Sequence, residues 1–134
     1  MFKVALSGDF LKDDGTFAYP DIDLNLLNHK NIEWKIIDTS PEIKSEELEG
    51  YDALILLGHR FTKNSVPKDK KLSVISRFGV GYDSVDLDAC NNNSIALVIT
   101  PDGIRRPVAV SVMAFILSLT GNMLIKDKIT RNGE

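Results

Sequence analysis

A glycine-rich stretch, "SRFGVGYDSVD" at residues 76–86, carries the residue types best suited to chemistry in this chain. Its G-x-G-x-x-S spacing follows a dinucleotide-binding motif up to Ser84, which stands where that motif has its last glycine, and Asp102 follows where the motif asks for an acidic residue. Glycines let a backbone approach a ligand closely, and unpaired amide groups attract a carboxylate or a phosphate. The stretch therefore predicts an anion-binding loop, for either a dinucleotide or a smaller anion.

The surrounding pattern predicts a doubly wound parallel α/β domain. Several short runs are apolar at consecutive positions, as in strands that are covered on both faces of a parallel sheet. Helices are predicted between them at residues 21–30 and 84–93, with Asp21 and Ser84 as N-caps. Strand–helix alternation with short connections is typical of this fold class. The five predicted strands are residues 2–7, 32–38, 52–58, 72–78 and 94–100.

The position of the glycine-rich stretch favours a small anion over a dinucleotide. In open α/β sheets, ligands bind beyond the carboxyl ends of the strands, and this stretch follows the fourth predicted strand. The helix predicted from Ser84 would add the attraction of its N-terminus for an anion. A dinucleotide motif belongs instead to the first strand and turn of its fold. From these residues alone, a glycine turn that merely joins strand to helix remains the alternative.

After Thr100 the sequence changes character. Pro101 and Gly103 indicate a turn, Pro107 suits a first helical turn, and one long helix is predicted from Val108 to about residue 131. Of the residues 108–125, 13 are apolar. A membrane span needs about 20 predominantly apolar residues, so a buried core helix is the favoured interpretation. Nothing later in the sequence could cover such a helix, so its cover is expected from a missing part of the protein or from a partner.

Composition excludes several function classes. The net charge of −3 is too small to indicate nucleic-acid binding, although residues 1–50 carry 5 basic and 11 acidic side chains and residues 51–134 carry 11 and 8. The basic half thus holds the glycine-rich stretch, which suits an anion. Cys90 is the only cysteine, so no intramolecular disulfide or Cys-based zinc site is expected. With no signal peptide evident, the sequence predicts a cytoplasmic protein without a metal site.

One long segment resembles a known family. "LSVISRFGVGYDSVDLDACNNNSIALVITPDGIRRPVA" combines R-x-G-V-G-x-D-x-[IV]-D, a helix, a strand, and then T-P before a V-A that opens a long helix. This pattern resembles the D-isomer-specific 2-hydroxyacid dehydrogenases, which include phosphoglycerate and glyoxylate/hydroxypyruvate dehydrogenases. "DALILLGHRFT" at residues 52–62 is similar to the strand and loop before it in those enzymes. The resemblance is faint before residue 50 and strong over residues 72–120.

The resemblance implies a domain organisation and a set of binding residues. Residues 1–100 would form a flavodoxin-like substrate-binding (catalytic) domain. Residues 101–134 would be the hinge and first helix of a truncated, Rossmann-type NAD-binding domain. The loop at Gly79 would bind the substrate carboxylate through the backbone amides of Val80 and Gly81. Tyr82 and Arg60 are further candidate substrate-binding residues.

The resemblance also implies what the chain lacks. The family's G-x-G-x-x-G and its catalytic Arg, Glu and His cannot be mapped, so no catalytic residue is assigned. His29 and His59 do not match the catalytic position, and Val108 is the one candidate cofactor-binding residue. Ile104 and Val110 replace an Asn and a Glu that many members carry, which leaves the substrate acid open. The cofactor of the full-length family is NAD or NADP, and weak binding to this chain is expected.

Two functions follow from this sequence. In the first, the chain is the substrate-binding part of an NAD-dependent oxidoreductase that acts on the CH–OH group of a small D-2-hydroxy acid, and it is inactive alone. In the second, it is a non-catalytic carboxylate-binding or self-associating module of the same fold. The apolar helix over residues 108–125 would then mediate a homo-oligomer, because a large uncovered apolar face rarely remains monomeric. Neither function involves nucleic acid or a membrane.

Overall fold

A computed structural model describes residues 1–37 and 40–133 and contains one five-stranded parallel sheet. The strand order is β2-β1-β3-β4-β5, the order of flavodoxin-like folds. The five predicted strands and the fold class are confirmed, with each strand shorter than predicted. Asp38, the predicted last residue of the second strand, lies outside the described residues. The strands are β1 (Phe2–Leu6), β2 (Ile32–Ile36), β3 (Ala53–Leu56), β4 (Val74–Arg77) and β5 (Ala96–Ile99).

The apolar strands are covered on both faces, as their sequences predict. On β1, Ala5 belongs to one buried cluster, whereas its neighbours Val4 and Leu6 belong to another. On β3, Leu54 and Leu56 join the first cluster, while the alternate residues pack with the second. This division follows from the two-residue repeat of a strand, which sends successive side chains to opposite faces. The sheet thus provides a rigid base for the loops at its carboxyl edge.

The helix predicted over residues 21–30 is wrong. This segment contains only a single 3₁₀ turn at Leu24–Leu27. The Asp23 carboxylate accepts a hydrogen bond from the Asn25 amide at 3.1 Å, and the Asn28 side chain accepts one from the Trp34 indole at 3.0 Å. Short polar side chains that bond to nearby backbone compete with helix formation, which explains why the apolar pattern did not produce an α-helix.

The helix predicted over residues 84–93 exists but begins later. Helix α1 spans Leu87–Asn92, and its N-cap is Asp86, not Ser84. The Phe61 amide donates to the Ser84 carbonyl, and the Asp86 amide donates to the Phe61 carbonyl, both at 2.8 Å. Because this pairing with a distant residue holds residues 84–86 extended, the helix cannot start at Ser84. The predicted helix N-terminus beside the glycines is therefore displaced.

The chain divides into two compact units, Met1–Thr100 and Pro101–Glu134. Their assignment as a substrate-binding domain and as part of a NAD-binding domain stays a prediction. In the second unit the single long helix predicted from Val108 to about residue 131 begins earlier and is divided into two helices. Helix α2 spans Asp102–Thr120 and contains Pro107, which was placed in its first turn, and a separate helix α3 spans Met123–Asn132.

The break between the two helices has a local cause. Asn122 adopts a left-handed conformation with φ of 52°, and the Gly121 amide donates to the Leu117 carbonyl at 2.9 Å. Glycine and asparagine are the residues that most readily end a helix in this way. Helix α2 is long and apolar enough to cross a membrane, a test that core helices of water-soluble proteins also pass. None of its residues is buried by the described part of the chain, so the buried core helix favoured by the sequence is not observed there.

Candidate functional site

The candidate site is built on residues 78–83, which we call the glycine loop, at the carboxyl end of β4. The Phe78 amide donates to the Leu56 carbonyl at 2.8 Å and so ties the start of the loop to the end of β3. The Phe78 ring lies 5.6 Å from the rings of both Phe10 and Tyr19, measured between centroids. The loop is therefore anchored at its entrance before it reaches the glycines.

Gly79 is the one loop residue whose conformation requires glycine. Its φ is 141°, a region that side chains rarely adopt, and a Cβ there would lie 2.8 Å from Arg77 Nη1. Its amide donates to Thr100 Oγ1 at 2.8 Å, and its carbonyl accepts from the Thr100 amide at 2.9 Å. By contrast, a Cβ on Gly81 would meet only Asp83 Oδ2, at 3.9 Å.

The next two amides carry the binding capacity of the loop. Within residues 1–37 and 40–133, the backbone N–H groups of Val80 and Gly81 have no hydrogen-bond acceptor. Both residues are exposed to solvent, and Val80 retains 37% of its accessible surface. Successive unpaired amides at a turn form a concavity that attracts an anion. The geometry is therefore consistent with the predicted carboxylate-binding role of these two residues.

Arg77 adds a positive charge to the loop. Its side chain could have pointed either way from the sequence alone, and the structure places the guanidinium against Gly79. Nη1 donates to the Phe78 carbonyl. Nε is buried and has no partner among the described residues. A cation beside two unpaired amides makes this edge of the sheet favourable for a negatively charged group.

Tyr82 and Arg60 lie around the same loop, with roles that stay predictions. The Tyr82 carbonyl accepts from the Val85 amide at 2.9 Å, and its side chain is exposed. Arg60 is also exposed, on a segment that hydrogen bonds to Pro41 and Ile43. Since the next residue, Phe61, pairs with residues 84–86, the Arg60 segment runs beside the end of the loop. Within the described residues, the Arg60 side chain makes no hydrogen bond or ion pair with the loop.

A polar cluster that the sequence did not reveal ties β1 to β3. Asp9 Oδ2 accepts from the amides of Gly58 at 2.6 Å and His59 at 2.9 Å. The Ser7 hydroxyl donates to Asp9 Oδ1 at 2.5 Å and accepts from the Leu57 amide at 3.0 Å. These partners are about 50 residues apart, so only the sheet order brings them together. Asp9 therefore acts mainly as a structural bridge.

His59 lies at the edge of this cluster. Its Nε2 is 3.9 Å from Asp9 Oδ2, only 12% of its side chain is exposed, and its Nδ1 is buried without a partner in the described part of the chain. An open cleft of about 540 Å³ borders His59, Asp9 and Lys12. The cleft lies at the ends of β1 and β3, where strand order reverses and ligands bind in related folds. The cleft is lined by both acidic and basic side chains, so it favours neither an anionic nor a cationic ligand.

The glycine loop does not fit a dinucleotide. A bound pyrophosphate would need a helix N-terminus directly after the glycines. Here α1 begins only at Leu87, and the Asp86 carboxylate already occupies its N-terminus by accepting from the Ala89 amide at 2.9 Å. A second anion would meet that negative charge. Val108, the candidate cofactor-binding residue, lies in α2 of the second unit and is exposed; its role stays a prediction.

Within residues 1–37 and 40–133, no group of three or more His, Cys, Asp or Glu side chains could hold a metal ion.

Comparisons with known proteins give matches to one enzyme family. The sequence model described as "D-isomer specific 2-hydroxyacid dehydrogenase, catalytic domain" matches residues 16–112. Glyoxylate reductase of Pyrococcus furiosus is 27% identical over 124 residues, which cover 89% of this chain and 37% of that protein. Glyoxylate/hydroxypyruvate reductase B of Citrobacter koseri is 35% identical over 104 residues, which cover 75% of this chain and 32% of that protein.

A solved structure shows the same fold. NAD-dependent formate dehydrogenase from Staphylococcus aureus, determined in complex with NAD, superposes with a TM-score of 0.71 at 23% identity. The match covers 100% of this chain and 41% of that one. The chain thus spans well under half the length of the relatives it matches.

Proposed function

The chain belongs to the D-isomer-specific 2-hydroxyacid dehydrogenase family, and from this premise we propose that it binds the carboxylate of a small 2-hydroxy or 2-oxo acid. The family consists of NAD-dependent oxidoreductases. The proposed role of this chain is the substrate-binding part of such an oxidoreductase. Two of its relatives are named for glyoxylate, which makes glyoxylate a suitable first ligand.

The observation that supports this proposal most strongly is the pair of unpaired amides at Val80 and Gly81. Both N–H groups follow Gly79, whose own amide and carbonyl are already bonded to Thr100. Arg77 adds a cation against the same turn. A carboxylate held by two amides has a defined orientation, so the adjacent 2-carbon would be presented in one direction, which is a positioning role. The chain's own contribution is therefore to bind and orient the acid.

Calorimetric titration with glyoxylate and with glycolaldehyde tests the proposal. Glycolaldehyde has a similar size but lacks the carboxylate, so it serves as the matched control ligand. We expect saturable binding of glyoxylate with a dissociation constant of roughly millimolar order, because so few atoms give little binding energy. Glycolaldehyde should give no saturable heat. Equal binding of both compounds, or binding of neither, would contradict the proposal.

A second expectation concerns turnover. Because the glycine loop does not fit a dinucleotide, we propose that the 134-residue chain alone binds NAD weakly and does not catalyse reduction of glyoxylate. The measurement is NADH absorbance in the presence of glyoxylate and purified chain, with a full-length glyoxylate reductase as positive control. Sustained NADH oxidation at a rate proportional to the chain concentration would refute this expectation.

The apolar surface of α2 favours a second candidate function, a self-associating module of the same fold. Its large side chains remain exposed, including Phe115 at 68% and Leu119 at 74%. Exposed apolar residues in such number usually mark an interaction surface. This candidate is compatible with carboxylate binding and differs from the first in needing no other part of an enzyme. A monomeric mass of the chain in solution would count against this second candidate.

A further inference from the structure

Thr100, the residue directly after β5, is joined to the glycine loop by both its backbone and its side chain. Its amide donates to the Gly79 carbonyl at 2.9 Å, and its Oγ1 accepts from the Gly79 amide at 2.8 Å. The hydroxyl proton has two acceptors in reach, the Gly79 carbonyl at 3.4 Å and the Arg77 carbonyl at 3.5 Å. One side-chain oxygen therefore sits among three backbone groups of the turn.

Because Thr100 bonds to Gly79, the first amides of the loop that remain unpaired are those of the next two residues. Gly79 is held at a φ of 141°, and both of its backbone groups have partners. The turn then passes directly to Val80 and Gly81, whose amides have no acceptor within the described residues. Without the Thr100 hydroxyl, the Gly79 amide would keep only its 2.9 Å bond to the Arg77 carbonyl. Gly79 would then be less firmly held, because it has no side chain to restrict it. The orientation of the two following amides would then be less well defined.

We propose that Thr100 is a positioning residue, which holds Gly79 so that the Val80 and Gly81 amides point together at a bound carboxylate. The inference rests on the proposed carboxylate-binding function and adds a residue from a different strand to that site. Thr100 itself touches no ligand in this scheme. Its effect is to reduce the ordering that the loop would otherwise undergo on binding, the usual advantage of a preorganised site.

The Thr100 hydroxyl can be removed with little change in shape. Thr100→Val replaces the hydroxyl by a methyl group, whereas Thr100→Ser keeps the hydroxyl and removes the methyl group. Thr130→Val is a remote control, because the Thr130 hydroxyl donates to the Lys126 carbonyl within α3 of the second unit. Each variant is compared with the unmodified 134-residue chain for glyoxylate affinity by calorimetry and for hydrogen exchange of the Gly79 amide by NMR. Thermal unfolding confirms that each variant is folded.

The expected result is a loss of glyoxylate affinity by about 3- to 10-fold in Thr100→Val, the size of one hydrogen bond. Gly79 amide exchange should accelerate in the same variant. Thr100→Ser should retain affinity within about 2-fold and keep the protection of Gly79, since it preserves the acceptor. Thr130→Val should match the unmodified chain in both measurements. Rescue by serine separates positioning from a general loss of packing, because serine packs less well than valine.

Two results would overturn the inference. The first is a Thr100→Val chain that binds glyoxylate as tightly as the unmodified chain. The second is a Gly79 amide that exchanges equally fast in both, which would mean that the hydrogen bond does not hold the loop. If the unmodified chain fails to bind glyoxylate at all, the proposed function fails, and Gly79 exchange alone then decides whether Thr100 holds the turn.

Discussion

At the scale of single residues, the two loop glycines have different physical roles. Gly79 combines a φ of 141° with a neighbour 2.8 Å from any added Cβ. Gly81 has neither constraint, since its nearest neighbour would be 3.9 Å away. The first glycine is therefore needed for the backbone conformation, whereas the second is compatible with alanine. Within the G-x-G spacing, the backbone conformation therefore requires glycine at residue 79 but not at residue 81.

Alanine substitutions should separate these roles. We expect Gly79→Ala to lower the free energy of unfolding by about 1–2 kcal/mol, because a side chain is strained at this φ. Gly81→Ala should change it by less than about 1 kcal/mol, in either direction. Urea denaturation monitored by Trp34 fluorescence measures both variants. Equal effects of the two substitutions would contradict the conformational assignment.

Cys90 provides a pH-dependent prediction. Its side chain is only 2% exposed in the first buried cluster, and burial, followed by the charge of Asp86, raises the pKa of the thiol above its ordinary value of 9.0. In the unfolded chain the thiol ionises at the lower pH, so its ionisation favours unfolding. The stability linked to this thiol is therefore complete below about pH 9 and declines as the pH rises toward the folded-state pKa.

The measurement compares the unmodified chain with Cys90→Ala at pH 7.5 and pH 10. We expect the urea midpoint of the unmodified chain to fall more between these pH values than that of the variant, since other groups titrate equally in both. An identical fall in both chains would show that Cys90 does not contribute. The variant itself should be somewhat less stable at pH 7.5, because a smaller side chain leaves unfilled space in the core.

At the scale of elements, α1 depends on its cap. The helix has only six residues, and the Asp86 carboxylate satisfies the Ala89 amide at 2.9 Å. We expect Asp86→Ala to lower the free energy of unfolding by about 1 kcal/mol, because an orphan amide loses its acceptor. Asp86→Asn is the matched control and should lower the free energy of unfolding by only a few tenths of a kcal/mol, since asparagine caps equally well. Chemical denaturation at neutral pH measures the unfolding free energy of both variants. Equal losses of that free energy would contradict the capping role.

The elements also show which parts of the fold the sequence could predict. All five strands were recognisable, because their consecutive apolar residues are a local signal of a sheet that is covered on both faces. A helix was wrongly predicted over residues 21–30. The Asn25 amide donates to the Asp23 carboxylate there, and this local bond favours a turn over an α-helix. The start of α1 was misplaced because Phe61, more than 20 positions earlier, pairs with residues 84–86.

The same distinction applies to the site. The loop at Gly79 could be found because its spacing is local in the sequence. The orientation of Arg77 and the bond from Thr100 could not, since both depend on how β4 and β5 lie side by side. Ser7 and Asp9 were missed for the same reason, because their partners Leu57 and Gly58 follow another strand, β3. Residues that act through tertiary contacts carry no signal in the spacing of one sequence.

At the scale of the whole molecule, the exposed apolar side chains of α2 predict self-association. Leu119 is 74% exposed on this helix, and Leu26, which is 80% exposed in the first unit, offers a matched control. We expect light scattering at micromolar concentration to give a mass above the 14.9 kDa of one chain. Leu119→Lys should shift the mass toward that of one chain, and Leu26→Lys should not. A monomer in all three samples would remove the support for a self-associating module.

The central claim, that the chain orients a small acid through two loop amides, has one direct test. It is an NMR titration of the ¹⁵N-labelled chain with glyoxylate, which follows every assigned backbone amide at once. If the loop binds the acid, the amides of Val80 and Gly81 should shift most and saturate together, while those near His59 should shift little. Largest shifts around the His59 cleft, or no saturable shift in the glycine loop, would contradict the claim.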